Sequence, residues 1–344
     1  MGSSTISALA DLTETQEWDA LVEESPQGSI FTRSWWLDTV CPEGYQLLRV
    51  RRGGRLMAGM ALPAPQRHRG ARVIRMPGLT QTLGPLLAPP AGGKYETNLS
   101  REMEWLRELV AAMPRVDGLA FNCHHRFTNW LPFHWAGYQQ TTRYTYLYDD
   151  LRDLAAIYNG MSAKTRNIIR KGQKAGITVE ECEDIETFLS LLPLTFTRQG
   201  MEVPFTLELV RRIDAACAAR DARKMYAARD REGNTHAVLY HINDNKCMYY
   251  LMQGSDPALR SSGAALLAQW HAIQQAADVT ACYDFEGSML ENVERVFRSF
   301  GAVQRPYFTI FKPAPDTSFR GVLRSVRDFA RGAAARWRGR FDHA

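Results

Sequence analysis

The 344 residues predict an α+β protein in which one mixed unit is used twice, each unit a mainly antiparallel sheet flanked by helices, followed by a basic amphipathic helix. Three observations carry that expectation. Strand-period alternation and turn residues recur in two matching series, each series then switches to helical period at the same place, and residues 317–344 set an apolar stripe among arginines.

In the first series residues 45–51 alternate like a strand, Gly53-Gly54 turns the chain and residues 56–62 return. Residues 72–76 add a third strand beyond the polar turn at 67–70. A helix over 102–113, a strand over 118–122 and an aromatic strand over 144–148 follow. In the second series residues 224–229, 236–242 and 247–252 form an antiparallel meander with turns at Gly233-Asn234 and 243–245. A helix over 263–277, a strand over 279–285, a helix over 292–300 and a strand over 307–311 complete it. Helices at 16–24 and 34–40 precede the first meander, and helices at 187–194 and 207–220 precede the second. The Pro-rich stretch 84–93 (GPLLAPPAGG) replaces part of the first unit's central loop. The expected division is 1–149, 150–316 and 317–344, with a junction near Asp149-Asp150 that strand exchange between the two sheets would blur.

Composition excludes several classes. Hydrophobic residues make up 45% and charged ones 23%, which rules out disordered and fibrous chains. No apolar run approaches the roughly 18–20 residues a membrane span requires. The first thirty residues hold six acids and no Lys or Arg, the reverse of a secretory leader, so a cytosolic location is expected. The six cysteines lack paired spacing, which argues against a zinc ribbon or a disulfide framework. Cys123-His124-His125 with His134 has no metal-ligand spacing either, and no metal is expected.

The net charge is +5, and its location matters more than its sum. Residues 317–344 hold seven arginines against two aspartates, which leaves 35 charges of each sign in residues 1–316. A second basic island, Lys164, Arg166, Arg170, Lys171 and Lys174, faces no acid between Asp153 and Glu180.

The most informative segment follows the second meander: Arg260-Ser261-Ser262-Gly263-Ala264-Ala265, opening a helix. Arg-x-x-Gly-x-Ala at a helix start offers unpaired backbone N–H groups, a positive dipole end and side chains small enough for a pyrophosphate to approach. The bland alternative is a Gly-Ala helix start packed tightly on the sheet. Meander before, helix after and strand next are the context that favours the anion cradle.

That combination resembles the Gcn5-related N-acetyltransferase (GNAT) superfamily, whose Gln/Arg-x-x-Gly-x-Gly/Ala loop holds the pyrophosphate of coenzyme A. The doubled unit, the segment 162–174 (SAKTRNIIRKGQK) and the stretch 283–302 look more specifically like the FemAB-like branch. That branch contains tandem-fold aminoacyl transferases of peptidoglycan bridges and relatives tied to polysaccharide or cellulose synthesis. The resemblance covers most of the chain and is strongest over 162–312. The first unit lacks the loop, which implies a structural or acceptor-binding copy.

The resemblance implies transfer of an acyl group, acetyl first among them, from acyl-coenzyme A to an amine of a small molecule, sugar or envelope precursor. It leaves aminoacyl-tRNA as the alternative donor, and a non-catalytic scaffold as a third reading. Backbone N–H groups at Leu251, Met252 and Gln253 would meet the acyl carbonyl. Asp284 and Glu286 alternate onto one strand face and are candidates to deprotonate or orient the amine, against a cap or salt-bridge role. Where many of these acyltransferases carry a Tyr acid on the last helix this chain has Phe297, a candidate substrate contact, and the Phe-Lys pair of the FemAB-like branch is Phe297-Arg298 here. Arg298 stabilises negative charge without donating a proton. Lys164, Arg166 and Arg170, on a helix, are candidate contacts to substrate phosphates or simply a solvated face. Arg198 and Gln199, between two helices, are acceptor-contact or helix-capping candidates.

In the tail, Phe319, Val322, Leu323, Val326, Phe329 and Trp337 recur at three- and four-residue steps with arginines between them. Docking on the body, peripheral contact with the inner face of an anionic membrane, and contact with tRNA are its three readings. No pattern in the chain speaks to an oligomeric state.

Overall fold

The structure, a computed structural model, describes residues 13–68, 70–197 and 202–312. The chain divides into two compact units, one running to Arg143 and resuming at Pro306, the other running from Tyr144 to Arg305.

The first unit opens with α1 (Glu14–Glu24), started by a capping box in which Thr13 and Gln16 satisfy each other's backbone N–H groups. A short α2 (Ser34–Val40) leads into β1 (Tyr45–Arg52) and β2 (Arg55–Pro63), an antiparallel hairpin. β3 (Gln66–His68), β4 (Ala71–Ile74), β5 (Leu86–Leu87), α3 (Tyr95–Ala111), β6 (Gly118–Asn122) and α4 (Leu131–Trp135) follow. Two sheets result. β1, β2 and β5 form one, and the other runs β3-β4-β6 and then takes the returning chain from Pro306, with Thr309 opposite Asn122. Trp105, Leu106 and Leu109 of α3 pack on Leu48, Met60, Phe121 and Ile310 between them.

The expected third meander strand is therefore corrected. β4 does not pair with β2; it pairs antiparallel with β3 and parallel with β6. Its place beside β2 is taken by Leu86-Leu87, buried in the Pro-rich stretch that reads as loop. Alternation identifies a strand but not its neighbour.

The second unit begins within β7 (Gln139–Tyr148), whose residues from Tyr144 belong to it. α5 (Leu154–Gly160) and α6 (Ala163–Lys174) follow, the latter capped by the Ser162 hydroxyl accepting the Thr165 N–H. Next come β8 (Thr178–Glu181), α7 (Ile185–Thr197) and α8 (Leu207–Ala218). The meander β9 (Arg223–Arg229), β10 (Thr235–Asn243) and β11 (Cys247–Ser255) leads to α9 (Ala264–Ala276), β12 (Cys282–Asp284), α10 (Glu291–Ser299) and β13 (Val303–Lys312). The sheet order in this unit is β7-β12-β11-β10-β9-β8. β12 is parallel to β11 and antiparallel to β7. Ile169 of α6, Ile273 of α9 and Phe297 of α10 meet Leu239, Tyr250 and Phe285 in one core.

Each unit thus completes its sheet with the closing strand of the other half of the sequence. β7 ends the first series yet serves the second unit, and β13 from Pro306 onward serves the first.

Candidate active site

In the sheet of the second unit β11 and β12 part early, for a reason that lies in their register. β12 accompanies β11 only from Cys247 to Tyr249, opposite Cys282 to Asp284. Beyond that rung β11 continues to Ser255 while β12 has ended. On the other side of β11 the pairing with β10 steps from His241 opposite Tyr250 to Tyr240 opposite Met252, so Leu251 is a bulge residue. Bulge and divergence coincide at Leu251, Met252 and Gln253, whose side chains are buried. The Gln253 amide is engaged locally, accepting from the Tyr250 hydroxyl and donating to Ser255 Oγ at 2.6 Å. What these residues can present to a ligand is therefore their backbone.

The Arg260 to Ala265 segment follows β11 after a four-residue link, 256–259. Arg260–Ser262 make a 3-10 turn, and Gly263 is left-handed (φ +85°) as the N-cap of α9. A Cβ there would stand 2.6 Å from the Ile168 carbonyl oxygen of α6 and 3.2 Å from the Gly172 nitrogen. Glycine at both positions lets α6 lie against the loop. Lys171 Nζ then donates to the Ser261 carbonyl at 2.6 Å. The two segments with anion-binding character in the sequence, joined here through Lys171 and Ser261, 90 residues apart in the chain, are thus neighbours in space. Lys164, two turns before Lys171, shares its side of α6 and is exposed. Arg166 and Arg170 are held locally instead, by the Asn159 carbonyl at 2.6 Å and by the Asn167 amide oxygen.

One part of the loop escapes sequence reasoning. Ser262 Oγ lies 2.8 Å from His236 Nδ1, and His236 Nε2 lies 3.1 Å from Asp230 Oδ2. Ser262 Oγ also accepts the Ala264 N–H at 3.2 Å. His236 is buried and Asp230 sits in the β9–β10 turn, where it accepts from Asn234 as well. Nothing in their spacing along the chain announces this, because the partners come from a turn, a strand start and a helix start.

The Asn234 amide and the His236 ring hold the Asp230 carboxyl down at about 2. A folded-state value below the ordinary ~3.9 makes this group's contribution complete above about pH 4 and lost as pH falls toward 2. Thermal melts are expected to show the native protein losing its advantage over Asp230→Asn across that window. A constant gap between the two from pH 5 to pH 2 would contradict the linkage.

Asp284 and Glu286 do not share a strand face, which corrects the expectation of simple alternation. β12 ends at Asp284, which is 3% exposed and accepts the Glu286 N–H at 2.7 Å and the Thr145 hydroxyl. Glu286 (φ +58°) and Gly287 (φ +60°) then turn left-handed in succession. Gly287 is required there, since a Cβ would fall 1.9 Å from the Tyr144 carbonyl oxygen. The turn leaves Glu286 half-buried where the strands part.

On α10, Arg298 is exposed and pairs with Glu294 one turn earlier at 2.9 Å. Glu294 also receives the Tyr146 hydroxyl, to which Gln304 donates at 2.5 Å. Burial and the Glu294 carboxylate push the Tyr146 hydroxyl up to about 12. Burial would raise Glu294, but Tyr146 and Arg298 outweigh it and hold the carboxyl below its ordinary range. Phe297, a candidate substrate contact in the sequence, is 1% exposed and packs on Phe285 with ring centroids 5.2 Å apart. It is a core residue, because helical spacing turns it inward while Arg298 faces out. Arg198 and Gln199 lie outside the described residues, as does the 317–344 segment.

Among the described residues no group of three or more His, Cys, Asp or Glu side chains is placed to hold a metal, and no helix is long and apolar enough to cross a membrane.

Residues 160–291 match the acetyltransferase (GNAT) domain family, and they contain the splayed strands, the Arg260–Ala265 loop and α6. Over these residues the chain carries a GNAT domain, of the acyltransferase class. The doubled architecture is similar to the crystal structure of FemX, with 14% identity, a TM-score of 0.65, and 86% of this chain and 96% of that one covered. It is also similar to the C-terminal domain of a protein described as a putative lysylphosphatidylglycerol synthetase from Agrobacterium fabrum (12% identity, TM-score 0.53, 91% and 94% covered). L-PGS from Bacillus licheniformis is a third such structure (11% identity, TM-score 0.52, 91% and 96% covered). At these identities the likeness is one of fold. No curated protein matches the chain in sequence.

Proposed function

We propose that the protein is an N-acyltransferase whose second unit binds a phosphate-bearing acyl donor at the start of α9 and passes the acyl group to an amine. The observation that carries the reading is the meeting of the Gly263 loop with the basic helix α6 through Gly172 and Lys171. It joins an electropositive helix end to the Lys171 cation in the segment that follows β11, the strand that outruns β12. Coenzyme A carrying an acetyl or other acyl group is the donor this loop suits, its pyrophosphate at Ser262, Gly263, Ala264 and Ala265 with Arg260 alongside.

In the reaction the amine attacks the thioester carbonyl, the carbon–sulfur bond breaks, and the sulfur leaves as a thiolate that takes a proton from solvent. Backbone N–H groups at the Leu251 to Gln253 bulge would stabilise the oxyanion. Glu286, half-buried at the divergence, takes the amine proton. Asp284 is the positioning residue that shapes the Glu286 turn. Arg298 balances charge from the rim. The first repeat of the sequence, residues 1–149, is the structural or acceptor-binding copy, and the second repeat, residues 150–316, is the donor-binding one. The acceptor is a small molecule, a sugar or a cell-envelope precursor met at the cytoplasmic face of a membrane, with residues 317–344 as the peripheral contact.

A second reading, aminoacyl transfer from aminoacyl-tRNA, draws on the FemX-like fold and on a fold shared with a protein named for joining a lysyl group to phosphatidylglycerol. The exposed cations of α6 suit a long polyanion as well as a nucleotide. Calorimetric titration with coenzyme A, together with an acyl-transfer assay run with and without ribonuclease, separates them. We expect saturable coenzyme A binding and transfer that survives ribonuclease. Transfer that is abolished by ribonuclease, with no coenzyme A heat, would reverse the order of the two readings. No donor binding of either kind would leave a scaffold.

A further inference from the structure

The parallel register that sets up the opening also brings two thiols together. Cys247 on β11 lies directly opposite Cys282 on β12, and their Sγ atoms are 2.6 Å apart. Directly opposed strand residues fall within the Cα separation that a disulfide spans, about 4.4–6.8 Å. The two sulfurs differ in access: Cys247 is 5% exposed, whereas Cys282 is half-buried at the start of its strand. Neither has a role in the acyl-transfer chemistry. A buried thiol facing a more accessible one is the arrangement in which oxidation at the accessible sulfur is resolved by the hidden one.

We propose that Cys247 and Cys282 are a reversible oxidation site, closed to a cross-strand disulfide by a peroxide and reopened by small thiols. The Cys282 thiolate attacks hydrogen peroxide, the O–O bond breaks, one oxygen stays on Cys282 as the sulfenic acid and the other leaves as hydroxide, which takes a proton to become water. Cys247 sulfur then attacks Cys282 sulfur, the S–O bond breaks, and the sulfenic oxygen leaves as a second water carrying the Cys247 proton. Two electrons pass from the thiol pair to the peroxide. Two equivalents of a small thiol reverse the bond and are themselves oxidised to a disulfide.

The place gives the bond a consequence. Tyr249 and Asp284 form the last shared rung of β11 and β12, two residues beyond the thiol pair. A covalent tie there fixes the closed end of the divergence between the strands without touching Leu251 to Gln253. The inference stands independently of which acyl donor the protein uses.

The test is made on the full chain. The protein is treated with hydrogen peroxide, remaining thiols are alkylated, and a non-reducing digest is read by mass spectrometry. The expected result is loss of two of the six alkylatable thiols, recovery of a linked Cys247–Cys282 peptide pair, and its disappearance after dithiothreitol. Cys282→Ser should abolish the linked pair and leave Cys247 alkylatable after denaturation. Because the readout on the native sequence is sufficient, a variant that fails to fold does not blunt the test. Retention of all six thiols, or conversion of Cys282 to the sulfinic acid with Cys247 still free, would overturn the proposal.

Discussion

Gly263→Ala is expected to cost the protein at least roughly tenfold in affinity for coenzyme A, or ~1.4 kcal/mol, while leaving it folded. Gly263 is at φ +85°, where a residue with a Cβ pays about 1–2 kcal/mol. The new methyl would also stand 2.6 Å from the Ile168 carbonyl oxygen, a backbone atom inside α6 that cannot swing aside. Relief requires α6 to back away from the loop. Lys171 then loses the Ser261 carbonyl and leaves the helix end it reinforces. Gly172→Ala is the graded control, since its Cβ would meet the Gly263 carbonyl and Leu267 at 3.3 Å, tight contacts that small adjustments relieve. Its expected loss is smaller than that of Gly263→Ala. Isothermal titration and thermal melts of both variants read affinity and stability separately. A folded Gly263→Ala protein that binds coenzyme A like the native one would show that the loop does not hold the donor.

The second large effect separates two neighbouring carboxylates. Asp284→Ala removes a 3% exposed acceptor that serves the Glu286 N–H and the Thr145 hydroxyl. Hydrogen bonds to a charged group are each worth roughly 1.5–3 kcal/mol, and the stranded donors add a desolvation cost. A fall in melting temperature of about 5–10 °C follows for a unit of this size. Glu286→Gln should leave the melting temperature within about 2 °C and lower kcat by roughly 10²–10⁴, the usual contribution of a general base. If Glu286→Gln turns over normally, the base lies elsewhere. If Asp284→Ala melts with the native protein, its hydrogen bonds do not hold the turn.

Much of the fold was legible because its signals are local. The second meander, the helix after Gly263 and the helix before Gly301 stand where alternation, turn glycines and helical period put them. What escaped was set by partners far along the chain. Leu86-Leu87 becomes a strand only because β2 has an open edge, and prolines on both sides hide it. β8 (Thr178–Glu181) is short and polar, and it gains strand structure from β9. α3 starts several residues earlier than its apolar period indicates, since Tyr95 to Arg101 bury little.

The site divides in the same way. The Arg260–Ala265 loop could be read because small residues and a left-handed glycine must be written into the chain to build it. Glu286 was misplaced relative to Asp284 because the strand stops to form a carboxylate-held turn, and nothing in a run of alternating residues marks that stop. The His236–Asp230 support of Ser262 and the Cys247–Cys282 pair each depend on register, which single-sequence periodicity does not contain.

The exchange of closing strands has a consequence for how this chain is made. Thr309 pairs with Asn122 across 187 residues, a stretch that takes a ribosome roughly 10–40 s to supply at ~5–20 residues per second. The sheet built from β3, β4 and β6 must wait through that interval with an edge exposed, although its own half of the sequence has long since emerged. The amino-terminal unit is thus the first to be synthesised and among the last to be finished. A nascent chain of this kind is a natural client for chaperones, and neither half, cut at the sequence midpoint, would carry the strands its own sheet needs.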